Sequence, residues 1–236
     1  MWRILNDFDL VLLSFINQWS QRWREFDAIV VLVSDSDLIK GGVVIAAVWG
    51  AWFCRNKNDQ QQNRAYLLSG IFGALLALFF ARLLAAELPL RTRPLLAPTL
   101  HFRPPFGLRD QSNWTIWSSF PSDHAALFFS LALGVFYVSK KWGAVLFAYV
   151  VFVICFPRMY IGIHYPTDVL GGAALGFSAV TFLSLDSLRA KWVRPIFLFH
   201  ESRPGLFYLL FFLITFQIAT LFWDIRILLS HFGFSS

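Results

Sequence analysis

The chain has 236 residues, 57% hydrophobic and 18% aromatic, with 14% charged and a mean hydropathy of +0.59. That composition excludes an ordinary water-soluble domain and predicts one all-α polytopic membrane domain over residues 1–236. The formal net charge of +6 then reports loop bias and anionic ligands, because no basic stripe interleaved with base-stacking aromatics marks a nucleic-acid partner.

Residues 1–24 place Phe8, Val11, Leu12, Phe15 and Ile16 at helical spacing, with Asp7, Asp9, Asn17 and Arg22 on the other side. An amphipathic helix with two aspartates is expected to lie on the bilayer surface rather than cross it. No cleavable signal peptide is expected, since no basic region leads into an apolar core and a small-residue cleavage site.

After Ser34-Asp35-Ser36-Asp37, residues 39–54 read as a first span, short of the roughly 17 to 25 residues a bilayer requires. A polar loop over 55–64 leads to a second span, 66–88. Residues 89–120 form a long segment with five prolines (Pro89, Pro94, Pro98, Pro104, Pro105) and the cations Arg91, Arg93, Arg103 and Arg109. The third span is expected from Pro121 to Val138, the fourth over 142–156, the fifth from Pro166 to Leu185 and the last from Gly205 to Trp223, giving five to six spans. Gly171, Gly172, Gly176 and Ala179 give the fifth span a small-residue face that a neighbouring helix can approach closely. Cys54 and Cys155 both fall in apolar runs near opposite faces and are expected as buried thiols, too far apart for a disulfide.

The loops 55–64, 139–141 and 186–204 are short and basic, which places them in the cytoplasm. Residues 89–120 and 157–167 then share the extracytoplasmic side. Arginines there oppose the positive-inside rule, so an anionic ligand is the reading that explains them. Asn113-Trp114-Thr115 is a glycosylation sequon on that side. Trp2, Trp19, Trp114, Trp117, Trp142, Trp192 and Trp223 read as interfacial anchors.

Three segments carry the chemistry. Pro121-Ser122-Asp123-His124 opens a helix, whose first N–H groups lack intrahelical partners and attract phosphate, with Ser122 adding a hydroxyl. Arg158, His164 and Asp168 stand at a loop-to-helix junction. A carboxylate one helical turn beyond a histidine can fix its tautomer and stabilise its imidazolium form, and the arginine can seat an anion. Arg82 lies inside an apolar span, where a cation facing lipid costs a few kcal/mol; it either pairs with Glu87 or serves the anion. His101, His200 and His231 have no such context and read as loop or interfacial residues.

These segments resemble the type 2 phosphatidic acid phosphatase superfamily of membrane lipid phosphatases, whose motifs read Lys-x6-Arg-Pro, Pro-Ser-Gly-His and Ser-Arg-x5-His-x3-Asp. The second motif is matched by Pro121-Ser122-Asp123-His124 and the third by Pro157-Arg158 through His164 to Asp168. The first is matched at Arg93-Pro94, with Ala86 at its lysine position and Arg82 or Arg91 as the substitute cation; Arg103-Pro104 fits less well, with Leu96 there. Asp123 replaces glycine, so its carboxylate must turn away or pair with an arginine, and Pro157 replaces serine.

The resemblance covers about residues 66–187. It implies an integral membrane phosphatase that hydrolyses a lipid phosphate or isoprenoid diphosphate at the extracytoplasmic face, in a bacterium the periplasmic face of the inner membrane. His164 would form a phosphohistidine, Asp168 would hold its ring, and His124 would serve as acid and base. Arg158, Arg93, Ser122, Asp123 through its N–H, and Arg82 would bind the phosphate. No cofactor or metal is implied. The superfamily is related to the vanadium-dependent haloperoxidases, but the membrane scaffold here sets that activity aside. Two alternatives stand beside the hydrolase: a lipid phosphotransferase using the same site, and a non-catalytic lipid-binding or transport protein.

Overall fold

The computed structural model describes residues 6–54, 60–108 and 118–222, and every regular element among them is helical. Arg109, the Asn113-Trp114-Thr115 sequon, Trp2, Trp117, Trp223 and His231 lie outside the described residues. In chain order the helices are α1 (Asp7–Asn17), α2 (Arg24–Asp35), a π-helical turn (Leu38–Gly42) leading into α3 (Val43–Phe53), α4 (Gln60–Glu87) and α5 (Asp123–Val138). Next, α6 (Lys140–Tyr149) runs through a second π-helical turn (Val150–Cys155) into α7 (Phe156–Tyr160), followed by α8 (Pro166–Leu183), α9 (Asp186–Ser202) and α10 (Pro204–Ala219).

Three helical rods, Gln60–Glu87, Lys140–Tyr160 and Pro166–Leu183, are long and apolar enough to cross a membrane. The apolar helices Leu38–Phe53, Asp123–Val138 and Pro204–Ala219 are shorter. The six apolar segments expected from the sequence are thus all helical, and three reach spanning length.

The centre is made by α4, α5 and α8, which pack more extensively on one another than any other elements do. Missing side chains make this possible. A Cβ built on Gly70 would lie 3.0 Å from the Cα of Gly134, and one on Gly73 would lie 2.5 Å from Val180 Cγ2. On α8, a Cβ at Gly172 would stand 2.2 Å from the Ser122 carbonyl oxygen, and one at Gly176 would stand 2.6 Å from that of Ala126. The small-residue face of α8 therefore lies directly on α5, backbone against backbone. Leu127, Phe128, Leu131, Leu67 and Ile71 fill the surrounding core.

The N-terminal region differs from its expected form. The single helix over 1–24 is interrupted at 18–22, where Gln21 takes φ 64°, and α2 follows as a separate helix. Asp9, Leu13 and Ile16 are buried, whereas Phe8, Val11 and Phe15 are exposed. The stripe carrying the aspartate thus faces the protein, because Asp9 finds cationic and N–H partners there. Asp27, also buried, accepts hydrogen bonds from the N–H groups of Gln21 (3.0 Å) and Phe106 (2.9 Å) and from the Tyr160 hydroxyl. It thereby ties the turn between α1 and α2 to Phe106 and to Tyr160 on α7.

Several other boundaries move. Residues 186–204, expected as a loop, contain the 17-residue α9; Arg189 bonds to Asp186 at 2.6 Å and stacks over Tyr66. The loop expected at 157–167 starts only at Ile161, so Arg158 sits on α7. The chain leaves that helix at Gly162, whose φ of 79° and contact with the Phe102 ring leave no room for a side chain. The third span begins at Asp123, with Ser122 as its N-cap, rather than at Pro121. Both cysteines are free, but Cys54 is exposed and only Cys155 is buried.

Candidate active site

Two helix N-termini meet through the backbone: the Ser122 N–H before α5 donates to the Asp168 carbonyl in the first turn of α8 at 3.0 Å. That contact exists because glycine at 172 lets the two helices touch. The arginine-bearing segment joins the same place, since the Ser119 N–H donates to the Arg91 carbonyl (2.9 Å) and the Leu95 N–H to the Gly162 carbonyl (2.8 Å). The three motif segments are therefore stitched together by main-chain bonds, independent of any ligand.

His164 is buried, its N–H directed to the Arg158 carbonyl at 3.4 Å. Its Nδ1 lies 2.9 Å from the Ser119 carbonyl oxygen and 3.6 Å from Asp168 Oδ2. A carbonyl can only accept, so Nδ1 carries the proton and Nε2 keeps its lone pair. Helix α8 starts between His164 and Asp168, so Asp168 does not sit one turn along a shared helix. It occupies the third helical position, where Oδ2 accepts the Tyr165 N–H at 2.7 Å. Its Oδ1 pairs with Arg91.

His124, in the first turn of α5, donates from Nδ1 to Asp123 Oδ1 at 2.8 Å, which leaves Nε2 to accept from Arg158 Nη2. Arg158 thus links the two histidines, bonding to one ring through its side chain and to the backbone of the other through its carbonyl. The Nε of Arg158 is buried and has no hydrogen-bond partner among the described residues. Asp123 turns its second oxygen to Arg82 Nη2 at 2.7 Å; Arg82 pairs with this aspartate and not with Glu87. Arg93 is half-buried near the same cluster, where burial draws its guanidinium below its ordinary range against the pull of Asp123 and Asp168. Ser122 is buried and its hydroxyl accepts the Ala125 N–H at 3.4 Å.

All eight residues singled out from the motifs thus fall within or beside one cluster. Arg103 does not join it: its N–H and carbonyl are held by the side-chain amide of Asn17 at 3.0 and 2.8 Å. His200 packs against Trp52, Phe207 and Tyr208, away from the cluster. Arg91, considered as a phosphate ligand, is instead buried between Asp168 and Asp9, over the Tyr165 ring. Burial pushes the Tyr165 phenol up to about 12.

Three participants were not found from the sequence. Ser119 acts through its carbonyl, which no side-chain pattern reveals. Asp9 looked like the polar side of a surface helix. Lys40, on the π-helical turn before α3, is buried beside Asp37 (3.2 Å), close enough for its charge to act on Arg158 and His124; the one available signal was a lysine inside an apolar run. Among the described residues no three histidine, cysteine, aspartate or glutamate side chains come together as metal ligands would.

A sequence model described as the PAP2 superfamily matches residues 65–192. The chain is 34% identical over 85 residues to the bacitracin transport permease protein BcrC of Bacillus licheniformis, covering 36% of this chain and 41% of that protein. It is 26% identical over 147 residues to the undecaprenyl-diphosphatase BcrC of Bacillus subtilis, covering 61% and 66%. Neither relative is matched over two thirds of its length. The crystal structure of Aquifex aeolicus LpxE superposes with a TM-score of 0.54 at 24% identity, over 77% of this chain and 98% of that one, a likeness of fold.

Proposed function

The chain belongs to the PAP2 superfamily, and on that premise we propose that it is an integral membrane phosphatase removing the terminal phosphate from an isoprenoid diphosphate or lipid phosphate at the extracytoplasmic face. The observation that carries the reading is the pair of helix N-termini, bonded from Ser122 N–H to Asp168 carbonyl, that hold His124 and His164 at one residue, Arg158, whose guanidinium meets the His124 ring and whose carbonyl accepts the backbone N–H of His164. The undecaprenyl-diphosphatase relative supports the lipid class.

In the first step the His164 Nε2 lone pair attacks phosphorus in line. An N–P bond forms, the P–O bond to the lipid leaving group breaks, and His124 gives its Nε2 proton to the departing oxygen. His124 must carry that proton beforehand. An entering phosphate draws Arg158 onto its anionic oxygens, which releases Nε2 to be protonated while Asp123 stabilises the resulting imidazolium. In the second step neutral His124 takes a proton from water, the oxygen attacks phosphorus, the N–P bond breaks, and inorganic phosphate leaves. Arg158, Arg93 and the Ser122 hydroxyl bind the non-bridging oxygens, joined by Arg82 to the extent that Asp123 releases it, and by the N–H groups that open α5. The Ser119 carbonyl and Asp168 stabilise the charge that His164 develops.

His164→Ala and His124→Ala are each expected to lower phosphate release from a lipid diphosphate in detergent by at least about 10²-fold, with chelator leaving the wild type active. Full activity in either variant overturns the assignment. Label appearing on a lipid acceptor in place of inorganic phosphate would instead make the protein a transferase.

A further inference from the structure

Asp9 lies outside the family-matched residues 65–192, on a helix that none of the three motifs includes. Yet it is fully buried, and among the described residues its carboxylate bonds only to Arg91 and Thr167, beside Asp168. Its Oδ2 pairs with Arg91 Nη2 and accepts the Thr167 hydroxyl at 2.6 Å, while its Oδ1 accepts the Thr167 N–H at 2.9 Å. Arg91 Nη1 pairs with Asp168 Oδ1 and also donates to Thr167 Oγ1 at 2.9 Å. Asp168 in turn faces His164 Nδ1. The chain of contacts runs Asp9, Arg91, Asp168, His164, with Tyr165 beneath the guanidinium at 4.2 Å.

Counting charge along that chain gives the inner pair a problem that Asp9 resolves. Arg91 alone would neutralise Asp168 and leave only the Ser119 carbonyl dipole, with no net negative charge, to offset a positive His164 ring. With Asp9 added, the triad carries one net negative charge, buried where solvent screens it little. We propose that Asp9 is a positioning residue for His164: it compensates Arg91, so that Asp168 remains an effective counter-charge to the imidazole as its nitrogen bonds to phosphorus. The N-terminal helix thereby completes the site instead of merely covering it. Leu13 and Ile16 are buried on the same helix as Asp9, and Ile16 packs in a cluster with Tyr160, Ile161 and Ile163.

The inference rests on the phosphohistidine reading, so wild type and His164→Ala are measured beside it; a wild type that releases no phosphate, or an active His164→Ala, defeats that reading and not the present one alone. In the full-length protein in detergent, Asp9→Asn keeps the shape and loses the charge. It is expected to lower kcat on the order of tenfold, with KM for a lipid diphosphate within about twofold. The double variant Asp9→Asn/Arg91→Gln restores one net negative charge and is expected to regain most of the lost kcat. Leu13→Ala loosens the same helix without altering charge and is expected to lower stability with kcat, per folded molecule, near wild type.

Three results overturn the proposal: a kcat for Asp9→Asn equal to wild type, a double variant no faster than the single one, or a Leu13→Ala kcat as low as that of Asp9→Asn. Should Asp9→Asn not fold, the double variant decides, since a kcat per folded molecule still on the order of tenfold below wild type has the same consequence.

Discussion

The helix N-termini that open α5 and α8 each pair a histidine with an aspartate and an arginine, but they do so in opposite surroundings. At α5, Asp123 and Arg82 keep side-chain exposures of 23% and 39%, and His124 sits between Asp123 and Arg158. At α8, Asp168 and Asp9 are fully buried and Arg91 is 9% exposed. Partly solvated ion pairs can exchange partners at little cost, whereas a desolvated triad holds one geometry because breaking it strands a charge. The difference suits the roles proposed above: a residue serving as acid and base at α5 would have to gain and lose a proton and release Arg158 to substrate, while a nucleophile at α8 would have to stay where it is.

Breaking the rigid side should have the largest effect. Arg91→Ala leaves Asp9 and Asp168 without compensation and is expected to cost about 3–5 kcal/mol, read as a lowered Tm in detergent together with loss of phosphate release. Forcing the two ends apart comes next. The Cβ of Gly172→Ala would stand against the Ser122 carbonyl, and the resulting shift of backbone is expected to cost about 1–3 kcal/mol. The same change should lower kcat more than heating alone explains, because the bond between Ser122 and Asp168 joins the two sites. The smallest effect is expected on the solvated side. Asp123→Asn removes the Arg82 ion pair at about 1 kcal/mol or less. Its sharper signature is kinetic: with one carboxylate fewer beside the phosphate, KM should fall while kcat declines through weaker support of the protonated His124. An unchanged KM would mean that Arg82 and Asp123 stand outside the substrate's field.

The parts of the site that were legible in the sequence are those written in local spacing. His164, Asp168 and Arg158 lie within eleven residues of one another, and Ser122 and His124 within three, so a resemblance could place them. The sequence leaves the Asp123 carboxylate either to turn away or to pair with an arginine, and the fold brings Arg82 to it. Asp9 was visible but read with the wrong face outward, since a helical pattern shows which residues share a face and not which way that face turns. Residues 186–204 mislead for a related reason: their polar composition resembles a connection, although Leu188, Arg189, Ala190 and Lys191 are good helix formers and lie in α9.

By itself the sequence determined the helical class, the apolar segments and the identity of the histidines, because those follow from composition, periodicity and short motifs carried within single stretches of chain. Only the tertiary structure decided which carboxylate answers which arginine, that a main-chain oxygen sets the His164 tautomer, and that the N-terminal helix reaches the site. Those outcomes depend on contacts between residues up to 158 positions apart, as for Asp9 and Thr167, and on glycines that let two helix ends touch; no local pattern encodes the distance across such a contact.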